Sequence, residues 1–133
     1  MRRKGKITLE KIKNKYDFLY SDELLKSRHD WEQSTTNARS FVLRNLLPYA
    51  PYGLKGVILD IGTGKGIALK ILSKETGENE ATLIGTDISE DALELAKNYA
   101  PVFCANATNL PIKTQSIDSI LCLDVVEHIE DRR

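Results

Sequence analysis

The chain has 133 residues, a length that fits one domain and excludes a second full one. Hydrophobic residues make up 41% and charged residues 29%, a composition that indicates a soluble globular protein and excludes disordered and collagen-like classes. The 19 Lys and Arg residues cancel the 19 Asp and Glu residues, so net charge does not draw the whole molecule to nucleic acid or to an anionic membrane.

The N-terminal segment carries a local excess of positive charge. Residues 1–15 hold seven bases and one acid, whereas the remaining chain holds 12 bases and 18 acids. An arm that binds nucleic acid or lipid would have this composition, but charge runs usually are solvated surfaces, and no aromatic residue precedes Tyr16. We therefore expect a solvated lead-in to a helix, without nucleic acid as a partner.

The sequence contains no targeting or membrane-spanning pattern. It lacks the apolar core of a signal peptide, and nowhere do about 18 apolar residues run together. We expect a cytoplasmic protein without a membrane span.

Two helices are predicted in the first part of the chain. Apolar residues recur at helical spacing over residues 7–20 and again over residues 38–46, where possible caps precede them at residues 34–36. Pro48 and Pro51 end the second pattern, because proline cannot continue a helix. The expected organisation is one domain, with a helical lead-in over residues 1–52 and an α/β half-domain over residues 53–133.

From Gly56 onward, short apolar runs alternate with helical stretches. Strands are predicted at residues 57–59, 82–86, 102–104 and 117–123, and helices at residues 67–74 and 90–99. Ser89 is a suitable N-cap for the second of these helices, and Glu90 and Asp91 place negative charge in its first turn. This alternation is typical of an α/β fold with a parallel sheet.

The two cysteines and two histidines do not indicate a disulfide framework or a metal site. Cys104 and Cys122 lie far apart in apolar runs, where buried free thiols are expected. His29 and His128 show no metal-binding spacing. We predict no bound metal.

The residues that point to a ligand follow the ends of predicted strands. In the segment 60–66, D-I-G-T-G-K-G (the glycine loop), the glycines permit a tight turn, and the helix that follows can present N–H groups to a negative ligand group. Asp87 ends the next strand, 21 positions after Gly66, where a carboxylate can accept both hydroxyls of a ribose. Because such strand ends meet at one edge of a parallel sheet, the pattern predicts a nucleoside ligand.

Two common nucleotide-binding motifs do not match the glycine loop. The dinucleotide fingerprint needs a third glycine where the chain has Ile67, which weakens the hypothesis of a nicotinamide-dependent oxidoreductase. The P-loop needs four residues between its first glycine and a Gly-Lys-Ser/Thr triplet, but here Lys65 is followed by Gly66.

The glycine loop resembles the first motif of class I S-adenosylmethionine-dependent methyltransferases. The segment 84–89, I-G-T-D-I-S, is similar to the second cofactor segment of that family, and the segment 104–111, C-A-N-A-T-N-L-P, resembles its G-D-A-x-x-L-P segment, with Asn106 in place of the acid. Residues 118–129 look like the fourth-strand segment of the small-molecule and lipid-quinone branch. The resemblance covers residues 56–130 strongly and the first fifty residues only loosely.

The resemblance implies a Rossmann-like, doubly wound, mostly parallel sheet with its four strands in the order 3-2-1-4. It implies that Asp87 binds the ribose, that Ile88 lies on the adenine face, and that the amide oxygen of Asn106 accepts from the adenine amino group. Asp60 and Asp124 would lie near the methionine portion. The cofactor-binding residues that the resemblance predicts are Asp60, Gly62, Thr63, Gly64, Gly66, Asp87, Ile88, Asn106, Ala107 and Asp124.

The expected activity is S-adenosylmethionine-dependent methyl transfer to a small-molecule acceptor, with no catalytic residue assigned. The alternative is a non-catalytic cofactor-binding or interaction module, the remnant or fragment of a methyltransferase. Family members usually continue with three more strands, so the fourth strand would here be an apolar edge over residues 119–123. We expect either self-association through that edge or a longer working protein.

Overall fold

The computed structural model describes residues 40–49 except 42 and 46, residues 54–76 and residues 80–130. Residues 40, 41 and 43–45 are helical, as predicted for this part of the second N-terminal helix, and Leu47–Tyr49 forms a 3-10 turn. The predicted helix over residues 7–20, the possible caps at residues 34–36 and the basic segment lie outside the described residues. The division of the chain after residue 52 stays a prediction.

Four strands and two helices form the α/β part of the molecule. The strands are β1 (Gly56–Ile61), β2 (Ala81–Asp87), β3 (Val102–Cys104) and β4 (Ser119–Cys122). The helices are α1 (Ile67–Glu75) and α2 (Glu90–Ala96), and a 3-10 turn, Val126–His128, follows β4. This sequence of elements is the predicted one.

The strands form one parallel sheet in the order β3-β2-β1-β4, which confirms the predicted fold. Because connections between parallel strands are right-handed, α1 and α2 lie on the same face of the sheet, and residues 105–118 must return the chain past β1 to β4. The direction of winding therefore reverses at β1. Open α/β sheets bind their ligands at such a switch point, outside the carboxyl ends of the strands.

The main core lies between the sheet and α1. Ile58 of β1 and Leu83 of β2 pair in register and pack with Leu69 and Leu72 of α1, and none of these four residues is more than 9% exposed. Leu69 and Leu72 face the sheet together because residues three apart lie on the same side of a helix. Burying one such side chain stabilises the fold by about 1.5–3 kcal/mol.

A second cluster attaches the helical residues 40–45 to α1. Leu43 packs against Ala68 and Ile71, and the partly buried Leu121 and Leu123 at the end of β4 border the same cluster. Helix α1 is therefore held between the sheet and the segment that precedes it, and this fixes the start of α1 relative to β4.

The start of each helix has a defined local structure. Gly66 precedes α1 with a φ of +85°, and a Cβ at this position would lie 2.8 Å from the Cα atom of Ala96 in α2. Glycine is needed here because the backbone is left-handed and the two helices approach closely. Ser89 caps α2, as predicted, by accepting a hydrogen bond from the Ala92 N–H at 3.2 Å.

Several predicted boundaries are wrong in detail, and β1 extends over Gly56–Ile61 where residues 57–59 were predicted. Helix α2 ends at Ala96 and not near Tyr99, because residues 97–99 form a turn in which the Tyr99 N–H donates to the Ala96 carbonyl at 3.0 Å. Strand β4 covers four residues of the seven predicted at 117–123. After β4 the chain forms the 3-10 turn Val126–His128.

Cys104 and Cys122 are exposed, so the expectation of buried thiols is wrong. Each cysteine ends an outer strand of the described sheet. Exposure alternates along β4, where Ser119 and Leu121 are half-buried but Ile120 and Cys122 are exposed. The sequence of an apolar strand does not show which of its two faces other parts of the protein will cover.

None of the helices among the described residues has the length and apolar character that a membrane crossing requires. Within the same part of the chain, His, Cys, Asp and Glu side chains do not gather in groups of three or more that could hold a metal ion.

Candidate cofactor-binding site

The glycine loop runs from the last two residues of β1 to the start of α1 and folds back over the end of β2. The N–H groups of Gly62 and Thr63 both donate to the carbonyl of Thr86 in β2, at 2.8 and 2.9 Å. Gly62 and Gly64 have φ values of +70° and +55°, in the left-handed region that favours glycine. The loop is therefore shaped by its hydrogen bonds to β2 and by glycines whose left-handed backbone other residues rarely adopt.

Asp87 links the glycine loop to the end of β2. The residue is 9% exposed; its Oδ2 atom accepts from the Gly64 N–H at 2.8 Å, and its Oδ1 atom accepts from the Ser89 N–H at 2.9 Å. Because both donors belong to the backbone, they fix the orientation of the carboxylate. A carboxylate can accept about four hydrogen bonds, so these two do not exclude the hydroxyls of a ribose.

The chain after β4 contacts the glycine loop from the other side. A Cβ on Gly62 would lie 2.2 Å from the Cγ2 atom of Val125, so the Val125 side chain packs directly on the loop. The neighbouring residue, Asp124, is exposed and has a φ of +57°, which is uncommon for a residue other than glycine. Backbone strain of this kind clusters at ligand sites, and here it lies beside the loop.

Asn106 and Ala107 lie in the turn that follows β3, and both are half-buried. The Ala105 N–H donates to the Asp87 carbonyl at 3.0 Å, which places this turn beside the end of β2. The Oδ1 atom of Asn106 accepts from the Thr108 N–H at 3.2 Å. This bond orients the amide group and leaves a second lone pair on the same oxygen for a ligand donor.

Asp60 lies in β1, 3% exposed, in register with Gly85 of β2 and Leu121 of β4. Its negative charge affects Cys122, which lies on the neighbouring strand β4. The pKa of the Cys122 thiol is raised, first by partial burial and then by the negative charges of Asp60 and Glu127. Cys122 is therefore a neutral thiol near neutral pH, even though the residue as a whole is exposed.

The buried hydroxyls of the site fit a polar ligand. Thr63 and Thr86 are 2% and 1% exposed, and their Oγ1 atoms make no hydrogen bond within the described part of the chain. A buried polar group without a partner lowers stability, so a ligand that supplies donors and acceptors is favoured here. With the Asp87 carboxylate and the Asn106 amide, these groups match the hydroxyls of a ribose and the amino group of an adenine. The residues present therefore fit S-adenosylmethionine.

The structure brings the predicted residues together to different degrees. Gly62, Gly64 and Asp87 are joined by hydrogen bonds within the loop and the end of β2. Ile88 follows Asp87, and its carbonyl lies 3.6 Å from the Cys104 Sγ atom at the end of β3. Gly66 instead faces α2. The binding role of each residue stays a prediction.

Sequence reasoning missed three contacts of the site. The Thr86 carbonyl, the Ser89 N–H and the Val125 side chain all hold the loop or its carboxylate in place. The role of Thr86 follows only from the strand register, in which Thr86 of β2 pairs with Ile61 at the start of the glycine loop. No motif in the sequence signals these contacts.

Asp118 directly precedes β4 and is exposed. Its carboxylate nevertheless accepts from the Val57 N–H at 2.7 Å, while its own N–H donates to the Val57 carbonyl at 2.9 Å. These two bonds tie the chain entering β4 to the start of β1, so Asp118 supports the sheet rather than the ligand site.

Comparison with known proteins identifies the family. Residues 59–133, more than half of the chain, match the family described as "Methyltransferase domain". The chain belongs to this family, the S-adenosylmethionine-dependent methyltransferases, which confirms the resemblance found in the sequence motifs.

Curated relatives are 33% identical to the chain over the aligned residues. The ubiquinone biosynthesis O-methyltransferase of Coxiella burnetii is 33% identical over 86 residues, which cover 59% of this chain and 35% of that protein. The malonyl-[acyl-carrier protein] O-methyltransferase of Marinomonas sp. is 33% identical over 93 residues, which cover 65% of this chain and 34% of that protein. The chain thus spans about a third of the length of these relatives.

A solved structure shares the fold. The magnesium protoporphyrin IX methyltransferase of Synechocystis PCC 6803, crystallised with bound S-adenosylmethionine, is 20% identical with a TM-score of 0.65. The superposition covers 94% of this chain and 66% of that chain. The likeness supports the Rossmann-like sheet in the predicted strand order.

Proposed function

We propose that the chain forms the cofactor-binding part of an S-adenosylmethionine-dependent methyltransferase that acts on a small-molecule acceptor. The observation that carries this proposal is the 2.8 Å hydrogen bond between the Gly64 N–H and the Asp87 carboxylate. It joins the loop after β1 to the end of β2, so that a carboxylate able to accept ribose hydroxyls lies at the carboxyl ends of the strands, where open α/β sheets bind their ligands. Membership of the methyltransferase family supports the choice of cofactor.

Each site residue has a role in this proposal. Asp87 accepts the ribose hydroxyls, Ile88 lies against the adenine, and the Oδ1 atom of Asn106 accepts from the adenine amino group. A neutral amide forms a weaker bond to that group than a carboxylate would, because the bond is not charge-assisted. Asp60 and Asp124 lie on the side of the methionine portion.

When bound, S-adenosylmethionine supplies a sulfonium methyl group that is already activated. The task of the chain is to hold donor and acceptor in line at short range, and proximity and orientation provide most of the acceleration. The backbone bonds to the Asp87 carboxylate and to the Thr86 carbonyl serve this task, because they set the site before binding. A covalent nucleophile on the protein is not required.

The experiment that tests the proposal is isothermal titration of the 133-residue chain with S-adenosylhomocysteine, with NADH as the comparison ligand. We expect micromolar binding of S-adenosylhomocysteine and none of NADH. Binding of NADH alone would overturn the proposal in favour of an oxidoreductase. Binding of neither ligand would overturn it in favour of an interaction module that keeps the glycine loop only as part of its fold.

The alternative of a cofactor-binding module without turnover is not favoured. Its distinguishing outcome is binding of S-adenosylhomocysteine without methyl transfer by the full working protein. The names of the relatives support catalysis, since two of them are O-methyltransferases, and the one named for ubiquinone biosynthesis supports a small-molecule acceptor.

We also propose that the β4 edge mediates self-association and that the protein acts in the cytoplasm. Ile120 supports the first point, because it is an apolar residue that is 60% exposed on an outer strand of the described sheet.

A further inference from the structure

A groove on the outer face of α1 has four basic side chains among its eleven lining residues. It has a volume of about 450 Å³ and lies between the helical residues 40–45, α1 and the turn that follows α2. The charged residues that line this α1 groove are four bases and one acid: Arg44, Lys65, Lys70, Lys74 and Glu75. None of the residues proposed to bind the cofactor lines it, so the α1 groove is a separate surface.

The cations are concentrated in the α1 groove beyond what the composition predicts. The described residues contain seven Lys and Arg and eleven Asp and Glu, yet four of the bases and only one of the acids line the groove. Within the described part of the chain, the positive potential is therefore local and stands out from a surface that is otherwise acidic.

Three of these cations, Arg44, Lys70 and Lys74, line the same groove with little compensation of their charges. Lys70 and Lys74 lie four residues apart on α1, so two like charges share one face, an arrangement that destabilises a helix. Lys70 has no acid three or four residues away in either direction. Among the described residues Arg44, Lys70 and Lys74 form no ion pair, whereas Lys97, outside the groove, pairs with Glu94. A bound anion would relieve the repulsion.

The α1 groove also has an apolar part. Ile67 and Ile71 of α1, Leu95 of α2 and Tyr99 contribute to its lining, and Leu95 and Tyr99 are 42% and 38% exposed. The Lys70 Nζ atom lies 5.8 Å from the centroid of the Tyr99 ring, so the cation sits next to the apolar surface. The surface therefore suits an anion that carries a short apolar chain or ring.

We propose that the α1 groove binds a compact organic phosphate. Its phosphate or diphosphate group contacts Arg44, Lys70 and Lys74, and its apolar part lies against Leu95 and Tyr99. The volume of about 450 Å³ is that of a small-molecule site. A long polyanion such as nucleic acid is disfavoured on this surface, because acids outnumber bases by ten to three among the described residues outside the groove.

The test compares two charge-matched double variants of the 133-residue chain by isothermal titration at low ionic strength. Variant K70Q/K74Q removes two cations from the α1 groove, and K55Q/K113Q removes two exposed lysines from other parts of the surface. The probes are inorganic pyrophosphate and octyl diphosphate. We expect K70Q/K74Q to bind both at least tenfold more weakly than the wild-type chain, and K55Q/K113Q to bind them within twofold of it.

A third variant tests the apolar part of the groove. Leu95→Gln should weaken binding of octyl diphosphate at least fivefold and leave binding of pyrophosphate unchanged. Titration with S-adenosylhomocysteine should give the same affinity for all variants. A failure of the proposed cofactor site would therefore appear in a different measurement from a failure of the phosphate site.

Several outcomes would overturn the phosphate proposal. One is the absence of binding of either probe to the wild-type chain, and another is an equal loss of affinity in the two double variants, which would reflect general surface charge. A third is that phosphatidylglycerol vesicles or a 20-nucleotide single-stranded RNA bind more tightly than octyl diphosphate does, and that K70Q/K74Q abolishes this tighter binding. The groove would then be a membrane or nucleic-acid surface.

Discussion

Asp87 combines a structural task and a proposed binding task in one carboxylate. It accepts the Gly64 and Ser89 N–H groups, at 2.8 and 2.9 Å, and faces the site where a ribose is proposed to bind. Asp87→Asn keeps the shape of the side chain but replaces one acceptor oxygen with a donor and removes the charge. We expect it to weaken binding of S-adenosylhomocysteine by about 10- to 100-fold, since a hydrogen bond to a charged group contributes about 1.5–3 kcal/mol. Calorimetry measures the affinity.

The matched control for this prediction is Asp91→Asn. Asp91 is an exposed acid in the first turn of α2, so its replacement should leave the affinity within about twofold of the wild-type value. Circular dichroism confirms that both variants are folded. An Asp87→Asn chain that is folded and binds with unchanged affinity would contradict the assignment of Asp87.

Cys122 offers a prediction of pH dependence. Partial burial, and then the charges of Asp60 and Glu127, raises the pKa of its thiol, and only the thiolate reacts with an alkylating reagent. At pH 7.5 we expect iodoacetamide to label Cys122 more slowly in the folded chain than in urea, with the two rates converging as the pH rises above the raised pKa. Peptide mass spectrometry gives both rates. The folded state retains this proton to a higher pH than the unfolded state, so the stability that it contributes should be lost as the pH rises from the ordinary thiol pKa through the raised one.

Glu127→Gln tests the cause of the raised pKa. It removes one of the negative charges and should increase the rate of Cys122 labelling at pH 7.5, whereas Glu130→Gln, an exposed change further along the chain, should not. Equal labelling rates in the folded and unfolded wild-type chain would show that the pKa is not raised.

At the scale of elements, Gly66 determines how closely α1 and α2 approach. Its φ is +85°, and a Cβ added to it would lie 2.8 Å from the Ala96 backbone, so Gly66→Ala must strain the loop and push the helices apart. We expect it to lower the free energy of unfolding by at least about 2 kcal/mol, from a left-handed backbone and from overpacking. Urea denaturation followed by circular dichroism measures the change.

Ser73→Ala is the control for the effect of Gly66→Ala. Ser73 is exposed on α1, where its hydroxyl donates to the Lys70 carbonyl at 2.8 Å, so its removal should change stability by no more than about 0.5 kcal/mol. If Gly66→Ala were as stable as Ser73→Ala, the contact between the helices would not depend on glycine.

At the scale of the whole molecule, features that depend on local sequence pattern can be predicted from the sequence. Features that depend on which elements pack together in space cannot. The strands could be found because each is an apolar run with a polar or glycine-containing end, and the strand order followed from the family resemblance. The glycine loop and Asp87 were recognisable from spacing alone. The contact of Val125 with Gly62 and the exposure of Cys122 were not, because both depend on which strands lie side by side and which lie outside.

The position of β4 leads to a prediction about assembly. Among the described residues β4 pairs only with β1, and Ile120, 60% exposed, lies on the outer strand. An apolar strand edge pairs readily with another chain, and a lysine on such an edge opposes pairing by its charge. We expect sedimentation velocity to show concentration-dependent association of the wild-type chain and a monomer for Ile120→Lys. Phe41→Lys, which changes an equally apolar residue that is 69% exposed on a helix, should still associate. A wild-type monomer at every concentration, or equal dissociation by both variants, would exclude association through the β4 edge.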